Sequence, residues 1–177
     1  MVDLQLKGHR AIVTADLADP GECARLISRA LAGGDIDILV NNAGAFANRG
    51  WGDAAPGDWL ALYATNVAAS KAALLNLTAS LAKHLDRTGI TVNTVSPGIV
   101  VTPGVREFYR LEAGRRGWGE DWSAIEAGVL TEVLDNPTGR LGRPQEVADL
   151  VAFIASPLAG YINGTNLRID GGSTAVV

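Results

Sequence analysis

The chain has little of several things that often define a protein's class. Its 177 residues include a single cysteine, Cys23, so an intrachain disulfide and a cysteine-rich metal site are excluded. No apolar run approaches the roughly 20 residues that a membrane-spanning helix needs, and Met1–Arg10 lacks the apolar core of a signal peptide. Charged residues make up only 19%, and the net charge of −4 gives no overall attraction to nucleic acid or anionic membranes. We therefore expect a soluble, cytoplasmic protein with neither of these partners.

What the sequence does contain is an alternation of short apolar runs with helical stretches. The length is that of one domain, and 47% apolar residues suffice for one core. Four runs predict strands, at Ala11–Thr14, Ile36–Asn41, Ile90–Val95 and Thr165–Ile169. Helices are predicted from Asp19-Pro20 to Gly33-Gly34, from Trp59 to about Leu85, twice between Gly104 and Leu134, and from Pro144 onward. This order is typical of a single doubly wound α/β domain over residues 1–177, with a mostly parallel sheet.

Small polar residues and glycines follow three of the predicted strands. These segments are Thr14-Ala15-Asp16, Asn41-Asn42-Ala43-Gly44 and Ser96-Pro97-Gly98. Doubly wound sheets bind their ligands beyond the carboxyl ends of the strands. Any ligand site is therefore expected along this edge of the sheet.

Four segments, taken in this order, resemble the short-chain dehydrogenases/reductases. Asp35–Gly44 (DIDILVNNAG) resembles the family's Asn-Asn-Ala-Gly motif, and Ser70-Lys71-Ala72-Ala73 with the helix after it resembles the active-site helix. Gly89–Thr102 (GITVNTVSPGIVVT) resembles the Pro-Gly loop, and Gly139–Gly172 resembles the C-terminal segment, especially in the branch of 3-oxoacyl-carrier-protein reductases. The matches cover nearly the whole chain and imply a reduced Rossmann-like fold with helices on both faces of the sheet.

The resemblance implies hydride transfer between NAD or NADP and a ketone or secondary alcohol. Family members use an Asn, a Ser, a Tyr and a Lys; the Tyr gives a proton to the carbonyl oxygen, and the Lys lowers the Tyr pKa and holds the nicotinamide ribose. Asn66 and Lys71 match the catalytic Asn and Lys. The residues that match cofactor contacts are Asp16, Leu17, Asn42, Ala43, Gly44, Lys71, Pro97, Gly98, Val100 and Thr102. No metal is implied.

Two blocks of the family's pattern are missing from this chain. Thr14 is followed at once by Ala15-Asp16-Leu17, which resembles the later element that contacts adenine. The Gly-rich phosphate turn and at least one βαβ unit are therefore absent. Asn66 runs almost directly into the segment of Lys71, so Val67 stands where the family has its Tyr, and no residue matches the Ser. Since valine cannot donate a proton, the acid–base position is vacant.

Each site assignment has a structural alternative. Lys71 either holds the cofactor ribose or is a solvated cation on an alanine-rich helix, and Asn66 is either part of the site or a polar surface residue. Asp16 and Asn42 either contact adenosine or only form turns after their strands. Residues 97–102 either face the nicotinamide or simply follow a strand.

The C-terminal half raises the same choice. Trp118 and Trp122 stand where the family has its mobile substrate lid, and they either line an apolar pocket or pack in the core. Arg140, Arg143 and Asp149 are expected to be solvated or ion-paired on the surface.

Two functions are compatible with the sequence. One is an NAD(P)-dependent oxidoreductase acting on a small ketone or secondary alcohol. The other is a catalytically inactive family member that serves as an oligomerisation or interaction module. A homo-oligomer is expected, since the resemblance places Pro144–Ile169 in part of an oligomer interface.

Overall fold

The structure, a computed structural model of the chain, describes residues 3–14, 25, 28–42 and 68–174. In chain order its elements are strands β1 (Ala11–Thr14) and β2 (Ile38–Asn41), helix α1 (Ala68–His84), strand β3 (Thr94–Pro97), helices α2 (Pro103–Arg116), α3 (Trp122–Glu132) and α4 (Pro144–Ile154), a 3₁₀ turn (Pro157–Ala159) and strand β4 (Asn166–Ile169). The chain forms two compact units, called here the first unit (1–74 and 155–157) and the second unit (75–154 and 158–177).

In the first unit, β1 and β2 form a parallel pair. Ala11 lies opposite Ile38, and Thr14 lies opposite Asn41. The carboxyl ends of the two strands therefore meet at one edge, as the sequence predicts for the segments after Thr14 and Asn41. The residues that follow Thr14 directly lie outside the described part of the chain.

Arg10 ties this strand pair to a helical segment that ends at Leu31. Its backbone N–H donates to the Asp37 carboxylate at 2.7 Å, and its guanidinium donates to the carbonyls of Asp35 and Ala30 at 2.9 Å each. Helix C-termini leave carbonyls unpaired and favour a nearby cation, so this contact stabilises the helix end. The predicted stop at Gly33-Gly34 is confirmed, and Gly34 has a φ of +112°.

In the second unit, β3 and β4 form another parallel pair. Thr94 lies opposite Asn166, and Pro97 lies opposite Ile169. The bounds predicted for this strand, Ile90–Val95, are wrong: the strand begins four residues later and includes Pro97, which the sequence places in a loop.

The physical reason is that the side chains of two asparagines take hydrogen bonds that strand pairing would otherwise make before β3. The Asn93 side chain donates to the carbonyl of Ile162 at 2.9 Å and accepts from the N–H of Thr165 at 3.3 Å. The Asn163 side chain accepts from the N–H of Val92 at 2.9 Å. Because these backbone groups pair with side chains, the apolar residues before β3 are held without joining the sheet.

The helices follow the sequence more closely than the strands do. Two helices between Gly104 and Leu134 are confirmed as α2 and α3, and Pro144 opens α4 as predicted. The described part of the long predicted helix is α1, which ends at His84. A hydrogen bond of 2.7 Å between the hydroxyls of Thr78 and Thr94 anchors α1 to β3.

The core of the second unit lies between α2 and α3. Its buried members are Tyr109, Ala113, Ile125, Val129 and Leu141, with Ile99, Val101, Val105, Phe108, Trp118, Trp122, Leu130 and Leu134 packed against them. The core-packing alternative for Trp118 and Trp122 is thus confirmed. The indole N–H of Trp118 also donates to the Glu132 carboxylate at 2.8 Å, which satisfies its polar end.

The described helices and parallel strands confirm the predicted α/β class. Among the residues that the structure describes, no helix is long and apolar enough to cross a bilayer.

Candidate functional site

Five of the predicted site residues lie outside the described residues, namely Asp16, Leu17, Ala43, Gly44 and Asn66. Asn42 and Lys71 belong to the first unit. Asn42 follows β2 directly, and Lys71 lies in the first turn of α1; both side chains are exposed. The remaining four, Pro97, Gly98, Val100 and Thr102, belong to the second unit.

These four residues lie together at the carboxyl end of β3. Pro97 is the last residue of the strand, and the others form the segment Gly98–Thr102, called here the post-β3 loop. Ile99 and Val101 of this loop pack against the core, so their neighbours in an extended chain face the other way. The loop therefore presents groups of Gly98, Val100 and Thr102 on the side that does not face the core.

Val100 has a backbone geometry suited to binding a ligand amide. It forms an isolated parallel bridge with Gly142, in which the Gly142 N–H donates to Ile99 and the Val101 N–H donates to Gly142, both at 2.9 Å. In such a bridge the N–H and C=O of the central residue point away from the partner. The Val100 carbonyl accepts from Thr102 at 2.8 Å, while its N–H has no partner in the described part of the chain.

Gly98 is explained by a close approach of backbone. Its N–H donates to the Ile169 carbonyl at 3.0 Å. A Cβ at this position would lie 2.9 Å from the Cα of Asp170 and 3.0 Å from its Cβ. Glycine is therefore required here by the packing of the post-β3 loop against the end of β4, whatever the loop binds.

Thr102 joins the loop to α2 as its N-cap. Its hydroxyl oxygen accepts from the Val105 N–H at 3.2 Å, and Pro103 occupies the first helical position. This arrangement satisfies one free N–H of the helix and leaves the hydroxyl hydrogen available for a donor contact. The side chain is exposed, so it can contact a ligand beside Val100.

The turn after β4 supports the loop from the side of that strand, and the predicted site residues do not include it, although Gly171-Gly172 marks the end of the last predicted strand. The Asp170 carboxylate accepts from the N–H groups of Gly172 at 3.0 Å and Thr174 at 3.2 Å. Hydrogen bonds from the Thr174 side chain and the Gly172 N–H hold the Asp170 pKa below its usual value. The Asn136 side chain also donates to the Asp170 carbonyl, at 3.4 Å. The Asp-Gly-Gly triplet after the last predicted strand is the signal that pointed to this turn.

The segment that carries Gly142 is held by surface ion pairing, as the sequence predicts for Arg140. Its guanidinium pairs with Glu146 at 2.5 Å, and the Arg143 N–H donates to the same carboxylate at 2.8 Å. These contacts lower the Glu146 pKa to about 2. Asp149 accepts from the side chain of Gln145 at 2.7 Å, so it too has a surface role.

Within the described ranges, no group of three or more His, Cys, Asp or Glu side chains is arranged to hold a metal ion. The post-β3 loop offers a ligand two hydrogen-bonding groups, the N–H of Val100 and the hydroxyl of Thr102.

Comparisons with known proteins add to this geometry. The sequence profile described as "Enoyl-(Acyl carrier protein) reductase" matches residues 60–174. Oxidoreductase UcpA of Escherichia coli is 34% identical over 212 residues, which cover 95% of this chain and 77% of that protein. Because that alignment is longer than the chain, UcpA contains residues that have no counterpart here. The 3-oxoacyl-(acyl-carrier-protein) reductase FabG of Haemophilus influenzae is 32% identical over 179 residues, covering 78% of this chain and 67% of that protein.

A solved structure gives the same result for the fold. The short-chain dehydrogenase/reductase from Serratia marcescens matches with a TM-score of 0.69 at 29% identity, over 92% of this chain and 76% of that one. With two other relatives, at 39% and 40% identity, the match is confined to 108 residues, and the chain spans only 35% and 38% of their length.

Proposed function

Because this chain belongs to the short-chain dehydrogenase/reductase family, in its 3-oxoacyl-carrier-protein-reductase-like branch, we propose that it is an NAD(P)-dependent oxidoreductase acting on a small ketone or secondary alcohol. The observation that carries the proposal is the post-β3 loop. It holds an outward N–H at Val100 and an exposed hydroxyl at Thr102, on a backbone fixed from two sides.

The loop fits the carboxamide of a nicotinamide ring. A carboxamide presents an acceptor oxygen and a donor NH₂ group, and the Val100 N–H supplies a complementary donor. The bridge to Gly142 and the core contacts of Ile99 and Val101 hold this N–H in place, so little conformational freedom is lost when a ligand binds. When bound, the nicotinamide supplies or accepts the hydride that is exchanged with the carbonyl carbon.

The family's reaction also needs residues that orient the ligand, hold the ribose and donate a proton, and this sequence supplies some of them. Within the second unit, Thr102 is proposed to orient the ligand beside Val100. The family motif alone assigns Lys71 the contact with the ribose. Asn66 is proposed for the water-supporting role of the family's Asn. A proton donor for the carbonyl oxygen is not found at the motif position, where the sequence has Val67. Loss of general acid catalysis typically costs about 10²–10⁴-fold in rate, so we expect slow turnover.

The vacant acid position favours a second candidate function, a catalytically inactive module that assembles with copies of itself. Its support is the apolar surface of the second unit. Leu77 and Leu81, one turn apart on α1, are 50% and 37% exposed, and Phe153 on α4 is 36% exposed. Exposed apolar side chains of this size favour association. Sedimentation of the purified chain as a dimer or tetramer would support this candidate, whereas a monomer at micromolar concentration would exclude it.

Calorimetric titration with NADH and then NADPH separates the two candidates. The oxidoreductase proposal expects saturable binding of at least one cofactor by the monodisperse protein. Val100→Pro removes the free N–H and should weaken that binding about tenfold, the effect of one lost hydrogen bond. Val100→Ala is the matched control, because it shortens the side chain and keeps the N–H. If neither cofactor binds up to millimolar concentration, the oxidoreductase proposal is wrong for this chain.

A further inference from the structure

Two arginines of α2 lie over tryptophan rings, and among the described residues only one of them is paired with carboxylates. Arg116 lies 5.2 Å from the Trp118 ring centroid and pairs with Glu132 at 3.2 Å and Glu112 at 3.6 Å. Its charge is therefore neutralised within the α2–α3 pair. This stack has a structural role.

Arg106 differs from Arg116 in having no carboxylate partner among the described residues. Its guanidinium lies 4.2 Å from the ring centroid of Trp122, and the side chain is half-buried. In the described part of the chain it has neither a carboxylate partner nor a side-chain hydrogen bond. A guanidinium stacked on an aromatic face keeps its N–H edge directed outward, where it can bind a planar or tetrahedral oxyanion.

The position of Arg106 makes an uncompensated positive charge there electrostatically unfavourable. It lies just beyond the first turn of α2, near the positive end of the helix dipole, and that first turn contains no acidic residue. Arg110 follows one turn later, and like charges at this spacing repel each other. Local conflicts of this kind are expected at functional sites, where a ligand relieves them.

The same position brings Arg106 to the candidate site. Its backbone N–H donates to the Thr102 carbonyl at 2.9 Å, so it stands one helical turn from the end of the post-β3 loop. Side chains on a helix lean toward its N-terminus, which directs the guanidinium toward Thr102. The backbone of Arg106 is therefore adjacent to the end of the loop, and we expect its guanidinium to be within reach of a ligand that the loop binds.

We propose that Arg106, which lies over the ring of Trp122, determines substrate specificity by binding an oxyanion of the substrate, a carboxylate or a phosphate distant from the carbonyl that is reduced. This inference rests on the proposed function for the identity of the reaction. It assigns the substrate to the class of anionic carbonyl compounds. Arg116 also lies over a tryptophan ring, at the longer distance of 5.2 Å, but is already paired with carboxylates, so it serves as the matched control.

The test measures binding without cofactor, using the indole N–H resonance of Trp122 in ¹⁵N-labelled protein, identified by its loss in Trp122→Phe. The probes are acetoacetate, its neutral methyl ester and, separately, NADPH. Acetoacetate should shift the Trp122 resonance and bind more tightly than the ester. Arg106→Gln should weaken acetoacetate binding roughly 10- to 100-fold, as expected for a lost charged hydrogen bond. Arg106→Lys should restore part of it, and Arg116→Gln should leave it unchanged.

The outcomes separate this inference from the proposed function. Equal affinity for acetoacetate and its ester, or equal effects of Arg106→Gln and Arg116→Gln, would overturn the inference. A loss of NADPH binding with unchanged acetoacetate binding would also overturn it, since the arginine would then recognise the cofactor. If NADPH does not bind but acetoacetate binding depends on Arg106, the inference holds and the cofactor proposal fails.

Discussion

Replacing Gly98 by alanine tests whether the close approach of the post-β3 loop to β4 holds the second unit together. The added Cβ would lie 2.9 Å from the Cα of Asp170 and 3.3 Å from its carbonyl oxygen. Ordinary contacts between carbon atoms are about 3.5–4.0 Å, so the two backbones must separate by roughly 0.6 Å or more. The obstructing atom is backbone, and a rotamer change cannot relieve the contact.

The loss of stability in Gly98→Ala depends on how firmly the Asp170 backbone is held. Asp170 is held by the pairing of Ile169 with Pro97 and by the turn bonds to Gly172 and Thr174. Forcing an extra carbon into a packed site costs about 1–3 kcal/mol. For a chain of this length, about 2 kcal/mol lowers the Tm by about 4–8 °C. The same displacement moves the Val100 N–H, so binding of any ligand to the loop should weaken as well.

Urea unfolding followed by tryptophan fluorescence measures this loss as a lower midpoint at an unchanged slope. Gly114→Ala is the matched control, because Gly114 lies inside α2 with no atom within 4 Å of its potential Cβ. That substitution should stabilise the protein by up to about 1 kcal/mol, the difference in helix propensity between the two residues. If Gly98→Ala were as stable as the parent chain, the steric account of this glycine would be refuted.

Two further predictions concern contacts that hold the surroundings of the loop. The Glu146 pKa of about 2 lies below its ordinary value of 4.5, so its pairing with Arg140 contributes stability that is present above pH 4.5 and is lost as the pH falls toward 2. Urea midpoints from pH 6 to 2 should fall more steeply for the parent than for Glu146→Gln, and parallel curves would contradict this. Asn163→Ala removes the acceptor for the Val92 N–H and should destabilise by about 1–2 kcal/mol, whereas Asn163→Asp keeps an acceptor and should cost less. Equal losses in the two variants would show that this hydrogen bond is not responsible.

Membership of the family bears on what the chain is proposed to bind, whereas the missing proton donor bears on the rate of the proposed reaction. The segments that match over residues 60–174 show the family, and the proposed class of reaction rests on that membership. By the family pattern, the valine at position 67 and the missing Ser concern proton transfer, whereas the post-β3 loop is proposed to bind the cofactor. Binding and turnover should therefore be separable in this protein, which is why binding is measured first.

Much of the fold was predictable because it depends on local interactions. The Pro144 start of α4 and the stop at Gly33-Gly34 are decided by residues within one helical turn. The bounds of β3 were not predictable, because Asn93 and Asn163 take the backbone groups that a longer strand would use. The apolar character of a segment does not show which of its backbone N–H groups will hydrogen-bond to a side chain instead of to another strand.

The candidate site divides in the same way. The motif after β3 pointed to Pro97, Gly98, Val100 and Thr102, and the structure brings these four together on one short segment. The sequence did not show why each of them matters. Gly98 is required by a backbone that is 72 residues away in the chain, and the motif alone gives no hint of that approach.

The order of residues was enough to establish the α/β class, the helix starts and stops and the family, since each depends on residue types at short spacing. It also predicts that the family's Tyr and Ser are missing. Other properties came from the packing of distant segments. Among the described residues, the Val100 N–H has no partner because Gly142 pairs with the residues on either side of it, and Arg106 has no carboxylate partner, whereas Arg116 pairs with Glu132 on another helix. Residues far apart in the chain decide which polar groups are satisfied, and the groups left unsatisfied are those available to a ligand.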